Sequence, residues 1–177
     1  DGMIVSLTQT IGTTMGSKVA TPGLGFMYAQ TLGGYLGEIK PGVRAPSHIS
    51  PIIVSREGKP FLALGAAGGS RIPSSIVSVV SRVIDQNLSL YDAMSKPRVH
   101  PANGKIEIEV VEADHDKLNK VFDYTVDDTL HFTQKGHSVV LRSGKANFGR
   151  VYAIMREGND WVAVSDPDWQ GSSGAVK

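Results

Sequence analysis

Cysteine is missing altogether from the 177 residues. That excludes a disulfide framework, a thiolate nucleophile and the common zinc modules, and leaves the compartment open. Basic clusters are missing too. The formal net charge is +1 and no run of Lys or Arg is longer than two, so neither nucleic acid nor an anionic membrane is an expected partner. No apolar stretch approaches the roughly 20 residues of a membrane helix, and the N-terminus lacks the basic start and apolar centre of a signal peptide. A soluble chain without a membrane span is expected. The five histidines (His48, His100, His115, His131 and His137) show no HxxxH or HExxH spacing, so no metal and no cofactor is expected.

What the chain has in excess is glycine, concentrated between Gly12 and Gly42 and between Gly65 and Pro73. The length suits one domain over 1–177 with its own core. "DGMIVSLTQT" opens on Asp1-Gly2, a hairpin turn signal, followed by a strand-like run. A hairpin turn needs a strand before it and none is present, so either the end is frayed or a first strand has been removed. Gly12 to Gly42 reads as a long glycine-punctuated loop, and Phe26, Met27, Tyr28, Leu32 and Tyr35 argue against disorder there.

Further on, "PIIVSREGKPFLALG" predicts a hairpin of strands 52–55 and 60–65 about the turn "REGK", apolar enough to be buried on both faces. Ile76, Val77, Val79, Val80, Val83 and Ile84 form one broad helical face, with Ser74 or Ser75 as cap. A short helix is expected in "SLYDAMS". "KIEIEVV" predicts a strand with Ile106, Ile108 and Val110 inward and Glu107 and Glu109 in water. Helical stretches are expected in "DHDKLNKVF" and in "VDDTLHFTQKG", the latter stopped by Gly136. "HSVVLR" reads as a strand, and "GRVYAIMREGNDWVAVSDP" as a closing hairpin. Strands, helices and strands in that order predict an α+β fold with helices layered on antiparallel sheets.

The stretch "GAAGGSRIP" stands between a strand and the best helix. Successive backbone N–H groups in a tight turn at a helix N-terminus converge on one point, where the helix dipole adds positive charge. Such a nest serves a phosphate or the oxyanion of acyl transfer. Phosphate is disfavoured, because the stretch matches neither GxGxxG nor GxxxxGK[ST]. A plain strand-to-helix turn is the blander alternative, and Arg71 reads as an anchor for the turn or partner of a nearby carboxylate.

Taken in order, "SLTQTIGTTMGSKV", "RAPSHISPIIVSREGKP", "GAAGGSRI", "KPRVHP" and "VSDPDWQGSSGAV" resemble the small subunit of γ-glutamyltranspeptidases over most of the chain. The resemblance implies an N-terminal-nucleophile hydrolase with a four-layer αββα sandwich shared by two subunits cut from one precursor. It also implies an N-terminal threonine nucleophile whose α-amine is the base, and a γ-glutamyl amide such as glutathione as donor. Gly68 and Gly69 match the family's oxyanion-hole glycines, and Thr10 the threonine that contacts the nucleophile. In the family the nucleophile lies one strand before the turn matched by Asp1-Gly2, so the resemblance implies a chain expected to lack it and to be inactive alone. Its partner is then the large subunit, met through an exposed sheet face, and a periplasmic or secreted location is implied.

Departures bear on the substrate. Where relatives carry an acidic NNxMDDF-like segment for the substrate's α-ammonium, this chain has "MYAQTLGGY". Gln30 and Thr31 fall near that place, and no carboxylate lies between Lys18 and Glu38. "APSHISP" replaces the family's Pro-Leu-Ser-Ser-Met-Ser-Pro, keeping Ser47 as a substrate contact and setting His48 where a second serine belongs. Gly12 replaces an asparagine. A non-glutamyl amide acylase of the same fold and a non-catalytic ligand-binding paralogue therefore stay open, with a nucleotide-binding domain least favoured. The Ser165–Pro167 turn is expected to support the active site.

Overall fold

The computed structural model describes residues 2–31, 40–44, 46–110, 126–143, 148–169 and 171–172. The chain divides into two compact units, residues 1–7 with 49–177, and residues 8–48.

In the larger unit the described elements are β1 (Ile52–Arg56), β2 (Lys59–Ala67), α1 (Ile72–Ile84), α2 (Leu90–Ser95), β3 (Val99–Ala102), β4 (Lys105–Val110), α3 (Val126–Gln134), β5 (Ser138–Ser143), β6 (Arg150–Glu157) and β7 (Asp160–Ser165). They build a four-stranded antiparallel sheet, order β1-β2-β6-β7, and a three-stranded sheet, order β3-β4-β5. The turn Glu57-Gly58 has φ of +52° and +75°, the pair of positive values that lets a two-residue hairpin follow the twist of its strands. β1 is an edge strand with Ile53 exposed, so burial on both faces holds for the middle of β2 and fails for β1.

Register divides the four-stranded sheet into two faces. Leu62, Leu64 and Ala66 of β2 share one with Met155, Ala153 and Val151 of β6, and all six are buried in one cluster with Ile72, Ile76, Val79 and Val83 of α1. On the other face Ile53, Ala63, Ile154 and Ala163 line up across all four strands. Exposed Tyr152 and Trp161 lie in the flanking rows of that face, opposite Ser165 and Arg156, so the middle of the outer face is apolar. α1 also packs against β3, which joins the two sheets into one unit. The apolar stripe of α1 is narrower than its sequence predicts, since Val77 and Ile84 are exposed.

Four further expectations need correction. α1 starts at Ile72 with no side-chain cap; Ser74 and Ser75 instead turn their hydroxyls back to the Arg71 carbonyl. Glu107 and Glu109 are buried: Arg71 and Arg142 close over Glu107, and Glu109 accepts from the Arg98 backbone N–H. β5 pairs parallel with β4, a geometry that demands a crossover and receives it through α3. Residues 2–10 join no sheet, although Ile4, Ser6 and Thr8 are half-buried in alternation with exposed Met3, Val5 and Leu7.

Elsewhere sequence and structure agree. Ser89 caps α2 by accepting from Asp92 N at 3.1 Å. Gly136, at φ +84°, closes α3 while His137 N donates to Phe132 O and Gly136 N to Thr133 O, the paired bonds of a Schellman stop. β6 and β7 turn about Gly158-Asn159, with Glu157 opposite Asp160. The helix expected in "DHDKLNKVF" lies outside the described residues.

Residues 8–48 contain no described helix or strand beyond the single bridge Ala20↔Met27. Turn bonds hold them: Gln30 N donates to Ile11 O at 2.8 Å, and Tyr28 N to Val19 O at 2.9 Å.

Candidate active site

The glycine turn follows the last rung of the β2–β6 ladder, Ala67↔Arg150. Gly68 takes φ +143° and Gly69 φ +60°, values that L side chains rarely adopt. Gly69–Arg71 then winds one 3-10 turn directly into α1. Among the described residues, no backbone hydrogen bond outside the helices and strands takes the Gly68 or Gly69 N–H as donor. Both glycines are exposed. A Cβ on Gly69 would meet nothing within 4 Å, whereas one on Gly68 would come within 2.7 Å of Gly149 Cα. The turn is therefore open on one side and packed backbone to backbone on the other.

Behind it lies a chain of charges. Arg71 Nη2 donates to Glu107 Oε2 at 2.8 Å, and Arg142 Nη2 to Oε1 at 2.8 Å. These two hydrogen bonds hold the Glu107 carboxyl below its ordinary range. Beside it, Ser74 Oγ lies 2.9 Å from His100 Nδ1, a spacing that invites a nucleophile–base reading. The chemistry argues otherwise. Ser74 sends its one proton to Arg71 O at 3.0 Å and so accepts from the ring. Burial and then the Arg71 charge press His100 below its usual value, which keeps it a neutral strut.

A second buried pair joins Arg98 Nη1 to Asp166 Oδ2 at 2.9 Å. Arg98 also donates to Gly149 O at 2.6 Å and Met94 O at 2.8 Å, and Asp166 Oδ2 accepts from Val151 N at 2.9 Å. Glu109 Oε2 accepts from Arg98 N at 2.9 Å. Burial pushes Glu109 up to about 7 against the opposing Arg98 charge. Sequence reasoning expected the Ser165–Pro167 turn to support the site and read Arg71 as an anchor for the turn or partner of a carboxylate, of which the Glu107 pair is the second; it missed the roles of Glu107, Glu109 and Arg98. For Arg98 the signal was the quoted "KPRVHP"; for the glutamates, only a basic partner elsewhere in the chain would have revealed them.

The remaining expected site residues all belong to the smaller unit. Exposed Thr10 accepts from Gly12 N through Oγ1 at 3.1 Å. Gln30 Oε1 accepts from Thr13 Oγ1 at 2.7 Å. Half-buried Thr31 neighbours Gly12, where a Cβ would stand 3.0 Å from Gln30 O and 3.6 Å from Thr31 Cγ2. The structure thus brings Thr10, Gly12, Thr13, Gln30 and Thr31 into one cluster. Ser47 and His48 are exposed at the end of that unit. No group of three or more His, Cys, Asp or Glu suited to a metal ion occurs among the described residues, and no described helix is long and apolar enough to cross a membrane.

The family model for gamma-glutamyltranspeptidase matches residues 1–176. The chain belongs to that family. It is 30% identical over 208 residues to the glutathione hydrolase proenzyme of Pseudomonas aeruginosa, an alignment that takes in 100% of this chain and 33% of the relative. It is 35% identical over 114 residues to the acylase ACY 1 proenzyme of Pseudomonas sp. strain V22, across 61% of this chain and 20% of the relative. Its fold matches a highly active mutant of the gamma-glutamyltranspeptidase from Pseudomonas nitroreducens with a TM-score of 0.78 at 28% identity, covering 99% of this chain and 94% of that one. The architecture is accordingly that of the N-terminal-nucleophile hydrolases of this family, mixed α and β with mostly antiparallel sheets. The chain spans about a third of the length of the first of these curated relatives.

Proposed function

We propose that the chain is the small-subunit portion of a self-cutting enzyme that moves an acyl group from an amide to water or to an amine. The nucleophile in this reading is an N-terminal threonine contributed by the segment of the precursor that precedes Asp1. Its hydroxyl attacks the amide carbonyl and its own amine takes the proton. The negative charge then developing on the carbonyl oxygen is met by the amides of Gly68 and Gly69. Preorganised amide donors of this kind typically contribute about 10²–10³ in rate. The observation that carries the reading is the glycine turn itself, two positive-φ residues at the head of α1 with open space over Gly69. The apolar middle of the outer face of the four-stranded sheet supports a second, covering subunit.

The acyl group is the finer question. A γ-glutamyl donor such as glutathione accords with the glutathione hydrolase relative. A non-glutamyl acyl donor accords with the acylase relative and with the lack of any carboxylate between Lys18 and Glu38, where Gln30 and Thr31 stand. Expression of the full-length precursor, mass spectrometry of its cleaved N-terminus, and parallel assays on γ-glutamyl p-nitroanilide and plain acyl anilides separate the two. A new N-terminal threonine with anilide turnover is the expected result. An uncut precursor that releases no acyl group from either substrate overturns the proposal.

A further inference from the structure

Gly149 sits between two parts of the site and carries no side chain. On one side its Cα is the atom that a Cβ on Gly68 would reach at 2.7 Å. On the other, its own Cβ would overlap Ser75 Oγ and approach Ser75 Cβ at 3.1 Å and Arg71 O at 3.4 Å. Its φ of +83° is itself a glycine conformation. The neighbouring peptides are tied down as well. Ser75 Oγ, fully buried in the first turn of α1, donates to Phe148 O and Arg71 O. Arg98 Nη1 donates to Gly149 O at 2.6 Å, and Asp166 Oδ2 accepts from Val151 N at 2.9 Å.

From this geometry we infer that Gly149 is a positioning residue for the reaction: its bare Cα is the seat on which Gly68 rests, and it fixes where the Gly68 amide points. The inference rests on the reading of Gly68 and Gly69 as oxyanion donors. Gly149 touches no reacting atom; it acts through the Gly68 backbone. The packing leaves few ways to absorb a methyl group. Below Gly149 stands a buried side chain of a core helix, and above it stands the exposed turn. A methyl group added at Gly149 must therefore lift the turn away from α1, unless the Ser75 hydroxyl is removed to make room below.

The test uses the full-length precursor carrying Gly149→Ala, Ser75→Ala and the Gly149→Ala/Ser75→Ala pair, each taken through crystallography and anilide kinetics. In Gly149→Ala the Gly68 peptide is expected to move by roughly 1 Å, enough to cost about 10²-fold in kcat with KM little changed. The double variant is expected to return Gly68 toward its wild-type position and to recover a measurable part of kcat. Ser75→Ala alone is expected to leave Gly68 in place. Coordinates can be read from an uncut precursor too, so a maturation defect does not hide the answer. A Gly149→Ala structure in which Gly68 stays put and Ser75 gives way overturns the inference. A displaced Gly68 with undiminished kcat overturns instead the assignment of Gly68 as an oxyanion donor.

Discussion

Arg98 and Asp166 meet at 2.9 Å with side chains 3% and 1% exposed. Both ends also hold backbone groups, Gly149 O and Met94 O on the arginine and Val151 N and Asp168 N on the aspartate. Removing one charge leaves the other buried without compensation, which costs about 3–5 kcal/mol where the pair itself is nearly neutral against an apolar replacement. Asp166→Asn is therefore expected to lower the urea unfolding free energy of the full protein by about that amount. The paired change Arg98→Met/Asp166→Leu removes both charges but strips Gly149 O, Met94 O, Val151 N and Asp168 N of these partners, so it is expected to recover only part of the loss. A single variant that unfolds at the wild-type midpoint shows that the pair is not isolated from water.

Glu109 sets a pH dependence of definite sign. It is a neutral acid in the folded chain up to about 7 and ionises near 4.5 when unfolded. Between those values the folded state holds a proton that the unfolded state has lost, so its contribution to stability falls as pH rises, by about 3 kcal/mol across the window. Glu107 and His100, both held below their ordinary values, contribute with the opposite slope. The informative quantity is hence the difference between wild type and Glu109→Gln. Glutamine keeps an acceptor for Arg98 N and has no proton to lose. The variant's relative stability is expected to rise from pH 5 to pH 8, and a flat difference curve refutes the buried neutral acid.

What the sequence made legible was local. Ser89 before "LYDAMS", Gly136 after "TQK" and Glu57-Gly58 between apolar runs each settle an element end by a bond or dihedral confined to a few residues. The errors arise where distant segments decide. The "KIEIE" alternation is real, yet Glu107 is buried because Arg71 arrives from the glycine turn and Arg142 from a parallel strand. Neither approach is written near residue 107. Ser74 and Ser75 look like caps, but the 3-10 turn at Gly69 has already begun the winding and leaves them inside the helix. The glycine turn was legible for the opposite reason: a backbone at φ +143°, as at Gly68, must spell it with glycine.

The two glycines of that turn are expected to differ in tolerance. Gly69 is in the left-handed region with empty space beyond it, so Gly69→Asn is expected to cost the fold no more than about 1 kcal/mol, asparagine being the side chain that best accepts that conformation. Gly68→Ala drives a methyl group into the Gly149 backbone, an obstacle with no side chain to rotate away. It is expected to destabilise by about 1–3 kcal/mol more. Thermal unfolding of the two variants side by side decides this, and equal losses contradict the packed-and-open asymmetry.

Gln30 offers a test of acyl specificity. Its Oε1 already accepts from Thr13 Oγ1 at 2.7 Å, so Gln30→Glu keeps that bond and adds one negative charge to a segment that has none from Lys18 to Glu38. If the proposed site presents Gln30 to the donor, a γ-glutamyl group brings an α-ammonium to meet that charge and a plain acyl group does not. A partly solvated ion pair adds about 1 kcal/mol or slightly more. KM for γ-glutamyl p-nitroanilide is therefore expected to fall about 5- to 10-fold in Gln30→Glu, with plain acyl anilides unaffected. Salt supplies the second reading, because a gain of electrostatic origin shrinks as ionic strength rises. Equal changes for both anilides, or a gain that salt leaves intact, remove Gln30 from the donor's ammonium subsite and return it to its bond with Thr13 as a brace of the loop.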